Sequence, residues 1–243
     1  MRHLCGRLAV VLAGIAIGLA AGRSLEPAAA ASLSLTSESL TSYRTCTLSA
    51  TPTTTTTVID SNVRQASATS NFGTTTTMLV SSASVANQRI YLKFDLAACS
   101  PAIPSTATVR LATMRLYATV LPAACRTTDI FRVTATWAEA TITWNNQPFG
   151  TTLNNPATGS RTDAFDIGTP AGCQNLTANA YIVGADVTTD VAAFVAGTAT
   201  NFGWMLRDDV ESSVTARSTT FSTKNLGTVG QVPQLVITYV TVP

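Results

Sequence analysis

The sequence predicts an all-β protein: a jelly-roll-like antiparallel β-sandwich with one short helix. Three observations predict it. Threonine fills 42 of 243 positions, and its β-branched side chain is stiff at χ1 and suits a pleated strand. Charged residues make up only 12%, about half the usual quarter of a globular chain, which argues against a helical bundle, a coiled coil or a charged disordered tail. Short segments of alternating apolar and polar residues then recur along most of the chain, separated by turn residues.

Taken in order, the chain opens with Arg2 and Arg7 ahead of an apolar run over 8–21, followed by Ala28–Ala31 and Ser32. A charged head, a greasy middle and a small-residue exit describe a secretory signal peptide over 1–31. The run is short of the roughly 20 residues that a membrane helix needs; an uncleaved N-terminal anchor is the alternative. The only histidine is His3, so residues 32–243 hold no Ser-His-Asp triad, Cys-His dyad or His-ligated metal. They carry 12 Lys and Arg against 12 Asp and Glu. With no basic cluster, a nucleic-acid partner is not expected. Cys46, Cys99, Cys125 and Cys173 remain after the signal. An even count in an exported chain reads as two disulfides, with Cys46–Cys99 and Cys125–Cys173 preferred and a nested arrangement the alternative.

Residues 32–45 are polar and aperiodic and are expected to be a flexible lead-in to one domain over 46–243. Strands are expected around 55–60, 78–80, 89–96, 109–120, 129–134, 140–144, 181–187, 203–208, 218–223 and 234–240. In 89–96, Ile90, Leu92, Phe94 and Leu96 share one face, and Arg89, Tyr91, Lys93 and Asp95 share the other, the pattern of one buried and one wet face. In 109–120, Ala112, Met114, Leu116 and Ala118 oppose Thr113, Arg115, Tyr117 and Thr119. One segment breaks the period. Val187, Val191, Phe194 and Val195 fall on one helical stripe in 186–197, with Thr188 or Thr189 to cap it, Asp190 in its first turn and Gly197 to end it.

Several of these strings together resemble a known family. DSNVRQASATSNFGTTTTMLVSS (60–82), RIYLKFDL (89–96), ATVRLATMRLYAT (107–119), DVTTDVAAFVAG (186–197), GWMLRDDVE (203–211) and PQLVITYV (233–240) are similar to motifs of the DNRLRE or disaggregatase-related domains of secreted bacterial proteins. TWAEATITWNNQP (136–148) is the most specific, resembling a W-x-E-x-x-x-T-W-N-N-x-P signature. Where many relatives have Ser-Arg-Glu after the penultimate strand, this chain reads Ser222-Thr223-Lys224-Asn225, so the charge pair is lost there. The resemblance implies a jelly-roll sandwich. Carbohydrate-binding module family 96 falls within this group and is similar in binding acidic polysaccharide such as alginate; other members resemble surface or adhesion modules. Fold alone does not decide between them.

The residues offer candidates of their own. Arg89, Tyr91, Lys93, Arg115 and Tyr117, on the expected wet faces of two strands that could be neighbours, would suit a uronate polymer, since Arg grips a carboxylate with two parallel hydrogen bonds; solvated charges pairing with Asp95 or Glu139 are the plain reading. Trp137, Glu139, Trp144, Asn145 and Asn146 form either a sugar platform or a buried loop anchor with Asn-held turns. Asp60, Asp95, Asp208, Asp209 and Glu211 are a weak calcium set without an EF-hand-type loop, Arg207 with Glu211 reading as an ion pair. No nucleophile–base pair is visible, and Glu139 and Glu211 are not brought together by any pattern. The expectation is a secreted, monomeric, non-catalytic domain that binds extracellular polysaccharide without a cofactor, metal or membrane contact. A structural or adhesion module is the alternative.

Overall fold

The computed structural model describes residues 42–51 and 55–241; the predicted signal peptide and residues 32–41 of the lead-in lie outside them. Twelve strands follow in chain order with one helix: β1 Ser42–Ser49, β2 Val58–Arg64, β3 Thr77–Ser82, β4 Gln88–Phe94, β5 Thr108–Arg115, β6 Tyr117–Val120, β7 Arg126–Arg132, β8 Asp163–Ile167, β9 Ala180–Tyr181, α1 Thr188–Val195, β10 Trp204–Asp208, β11 Arg217–Ser222 and β12 Gln234–Thr241. All their pairings are antiparallel, in two sheets. The smaller runs β1-β12-β5; the larger runs β8-β7-β10-β4-β3-β11-β6-β9, with β2 on β4. The main core joins them: Leu48, Met114, Leu235 and Ile237 from the small sheet meet Ile90, Leu92, Phe94, Trp204 and Phe221 from the large one.

Most expected strands form, with informative exceptions. The 109–120 segment breaks at buried Leu116, where the chain leaves one sheet for the other. Residues 140–144 are turns, because Asn146 accepts from the Thr143 N–H at 2.7 Å and donates to the Thr141 carbonyl at 3.0 Å. Of 181–187 only the start is a strand. The lead-in expectation fails from Ser42 on: β1 pairs with β12 over its whole length, and Cys46–Cys99 ties it to the segment after β4. The second disulfide is Cys125–Cys173. The helix forms as expected at its end, where the Thr198 N–H reaches the Ala193 carbonyl and Gly197 takes φ 70°, a left-handed conformation that suits glycine. Its start is held differently: Asp186 accepts from the Thr188 N–H at 2.8 Å, and the Thr188 hydroxyl accepts from the Ala112 N–H of β5.

The largest departure concerns β4. Its alternation is real, but neither face is wet: Arg89 and Tyr91 are as buried as Ile90 and Leu92. Residues 133–162, with no strand or α-helix, cover the outer face of the large sheet as a strap. Ile142, Trp144 and Val133 of the strap pack with Tyr91, Phe131, Met205 and Val63 in a second apolar cluster. Charge holds the strap down. Arg89 donates side-on to Glu211 at 2.7 and 2.8 Å, and its remaining hydrogens go to Gln147, the Gly150 carbonyl and the Thr152 carbonyl. Glu211 also accepts the Asn154 N–H at 2.6 Å. Arg207, expected to pair with Glu211, donates instead to the Pro156 carbonyl at 2.7 Å and lies 3.6 Å from Asp129.

Both members of the Arg89–Glu211 pair are wholly buried, so removing one strands the other without water or counter-charge. Glu211→Ala is expected to cost about 3–5 kcal/mol in urea unfolding, and Glu211→Gln less; a loss below about 1 kcal/mol would show that the strap is anchored by other means.

Candidate functional site

The structure disperses the expected charge cluster. Arg89 and Tyr91 are interior groups, and burial pushes the Tyr91 phenol above its ordinary value. Trp144 is buried under the Arg89 guanidinium, 4.8 Å from its ring centroid. Lys93 is half-buried beside Leu96 and Phe194 in a separate cavity of about 460 Å³. Asn145 is exposed in the strap, where its N–H donates to the Ala68 carbonyl. Arg115 and Tyr117 do come together.

They flank Leu116 at the crossing between sheets. Both remain partly exposed, since the strand alternation that buries Met114, Leu116 and Ala118 turns them outward. Tyr181 of β9 pairs with Tyr117, their rings edge-on at 5.4 Å. The Arg115 guanidinium lies over the Tyr181 ring at 4.4 Å, a cation–π contact. One nitrogen, Nη1, donates to Gln234, its cross-strand neighbour, at 3.1 Å. The Tyr181 hydroxyl donates to the Val232 carbonyl. Arg115 is thus held in one orientation by a ring below and an amide beside it. Its Nε and Nη2, and the Tyr117 hydroxyl, have no protein partner among the described residues.

From Arg115 the outer face of the small sheet continues as registered rows, mostly of polar side chains interrupted by Val236 and Leu111: Arg115–Gln234–Ser49, then Thr113–Val236–Thr47, then Leu111–Thr238–Thr45. Its three strands hold Arg44, Arg110 and Arg115 and no carboxylate. Asp186, bridged to Thr113, has one oxygen occupied by the Thr188 N–H. Sequence reasoning missed Tyr181 and Gln234, which are distant along the chain from Arg115 and reach it only through strand pairing.

The chain matches the family model Carbohydrate-binding module family 96 over residues 51–239, which reaches every strand but β1. The chain belongs to that family. No curated protein matches it. The segments that the family shares meet one another in the fold. Asn71 donates to the Glu139 and Ile142 carbonyls at 2.7 and 2.8 Å, binding the first signature to the Trp loop. Gly73 sits so close that a Cβ there would lie 2.5 Å from the Glu139 carbonyl oxygen. Trp137 donates to the Phe202 carbonyl and packs edge-on against Tyr91. In this family member the Trp loop is therefore an anchor.

Lys224 supplies charge where the Ser-Arg-Glu of relatives is missing: its ammonium meets Glu139 at 2.6 Å, and its N–H donates to Asp60 at 2.8 Å. Asp60 Oδ1 and Glu139 Oε1 are buried without a hydrogen-bond partner. Asp60 is fully enclosed, and burial, reinforced by Glu139, pushes its carboxyl up to about 7. The other members of the expected calcium set are occupied: Asp95 accepts the Ala97 N–H, Asp208 and Asp209 pair with Arg126, and Glu211 with Arg89. Among the described residues no three His, Cys, Asp or Glu side chains gather as a metal site.

The Asp60 carboxyl holds its proton more tightly in the folded chain than in the unfolded one. Its contribution to stability is therefore fully present below about pH 4 and is lost as pH rises towards 7. Over about three units at about 1.4 kcal/mol each, the loss is on the order of 4 kcal/mol. Asp60→Asn keeps an acceptor for Lys224 and cannot ionise, so its melting temperature relative to the native chain should rise between pH 4 and pH 8. An offset that stays constant with pH contradicts the assignment.

Proposed function

We propose that this carbohydrate-binding module is secreted, monomeric and non-catalytic, and binds acidic extracellular polysaccharide of the alginate class through the Arg115–Tyr117–Tyr181 patch. One observation carries the reading: Arg115 is oriented by Tyr181 and Gln234 yet keeps a free Nε–Nη2 edge, and no residue of the three strands of its sheet is a carboxylate. A guanidinium edge matches a carboxylate with two parallel hydrogen bonds. Because the side chain is already ordered, little conformational entropy is lost on binding. The half-buried Tyr117 offers a ring edge and a free hydroxyl to the adjoining sugar, and the Thr and Gln rows extend the contact along a chain.

Two disulfides and the absence, among the described residues, of any helix long and apolar enough to cross a membrane fit this reading. A structural or adhesion module without a sugar ligand is the competing class, and catalysis has less support. Asp60 and Glu139 are brought together by the fold, but Lys224 holds both and Asp60 is fully enclosed, and Asp208 and Asp209 are both paired with Arg126; a glycosidase pair needs a cleft that admits the sugar between them.

Affinity electrophoresis against alginate, pectin and neutral glycans tests the reading. The domain should be retarded by the uronate polymers, and Arg115→Ala should reduce retardation about tenfold, the effect of losing roughly 1.4 kcal/mol, with melting unchanged. Free migration on every polymer removes the binding claim, and undiminished binding by Arg115→Ala removes the patch.

A further inference from the structure

A second concave site lies away from the small sheet, where the end of β7, the strap and the start of α1 converge. It is a groove of about 530 Å³. Arg132 and Arg161 reach into it from two sides, each roughly 40% exposed at the side chain: 39% and 40%. Each is tethered by one nitrogen to a buried carboxylate, Arg132 to Asp190 at 3.2 Å and Arg161 to Asp129 at 2.9 Å. Those carboxylates are themselves engaged elsewhere. Asp190 accepts from the Thr162 hydroxyl at 2.6 Å and the Trp204 indole at 2.9 Å, and Asp129 lies 3.6 Å from Arg207. Two guanidiniums thus line the groove, each balanced by a carboxylate that lies deeper than it does. Beyond the tethering contacts, neither guanidinium has a further partner among the described residues.

The walls suit a sugar. Phe149 presents a half-buried ring, braced edge-on by Phe131 at 6.5 Å, with Pro156 beside it. The apolar face of a pyranose packs on such a surface. The Thr134 and Thr189 hydroxyls line the same groove without protein partners among the described residues. Concavity, an apolar wall and a few converging donors are the marks of a small-molecule site. Tethering by one nitrogen preorders each arginine and leaves the others free for a carboxylate.

We infer that this groove is a second saccharide site, for a carboxylate-bearing sugar unit, and that the domain is thereby bivalent and bridges polysaccharide chains. The inference rests on the uronate reading of the Arg115 patch. The groove is built by β7, β8-side loop and α1 residues, the patch by β5, β6, β9 and β12, and they share no side chain. Two sites on one rigid unit hold neighbouring polymer segments at a high effective concentration, which builds a network without any new contact.

Amide NMR titration with trigalacturonate and trimannuronate tests the inference. Two independent sets of shifts are expected, one around Tyr181 and Gln234 and one around Thr134, Thr162 and Thr189. Arg132→Gln with Arg161→Gln keeps an acceptor-compatible amide at each tether; it should abolish the second set and leave the first. Alginate solutions should turn turbid with the native domain, and turbidity should fall at least fivefold with either Arg115→Ala or the Gln pair. Shifts confined to the Tyr181 patch, or turbidity unaffected by the Gln pair, overturn the bivalency and leave the uronate reading standing. Silence at both sites overturns both.

Discussion

The buried pairing of Arg89 with Glu211 is the interaction on which the rest of the outer layer depends. A guanidinium inside a protein is tolerable only when every hydrogen finds an acceptor and a counter-charge lies alongside. Here the acceptors are the backbone of the strap itself, at Gly150 and Thr152, together with Gln147. The strap therefore cannot lift without exposing a charge pair, and the sheet face beneath it cannot be apolar throughout. Arg207 repeats the device in part: it donates to the Pro156 carbonyl, while its buried Nε has no hydrogen-bond partner. A long loop without regular structure is thus fixed mainly by side chains that belong to the strands it covers.

That arrangement redistributes function. Covering the large sheet removes Arg89, Tyr91 and Trp144 from solvent and leaves the small sheet as the open β-surface. Other polar side chains join loops to one another: Asn71 to the Trp loop, Lys224 to Glu139 and Asp60, Asn225 to the Gly73 carbonyl. Arg115 is built differently: the three strands of its sheet hold no acid, the nearest along the sheet being Asp186, bridged to Thr113, and the ring beneath it comes from β9, a two-residue strand.

Much of the architecture was legible in the chain. Threonine content and period-two alternation gave the strands, the Val187–Val191–Phe194–Val195 stripe gave the helix, and Gly197 marked its end because only a left-handed residue completes that cap. The cysteine pairing preferred from the sequence is the one that forms. The site was legible only in part. Arg115 and Tyr117 were visible because they alternate with buried neighbours on their own strand. Tyr181 and Gln234 were not, because strand pairing is a long-range choice that no local pattern records.

What the sequence determined by itself is what depends on neighbours along the chain: extended segments, one amphipathic turn of helix, and the lack of histidine from residue 32 onward. What only the tertiary structure decided is which polar face of a strand meets water. An alternating strand states that its two faces differ and is silent on what lies over the polar one. On β4 a strap lies there, and its backbone accepts the Arg89 hydrogens; on β5 nothing among the described residues covers Arg115, and its free edge faces outward. The same residue type is a buried rivet in one strand and a half-exposed group with free donors in the other, because burial with acceptors and exposure without them are properties of the packed whole.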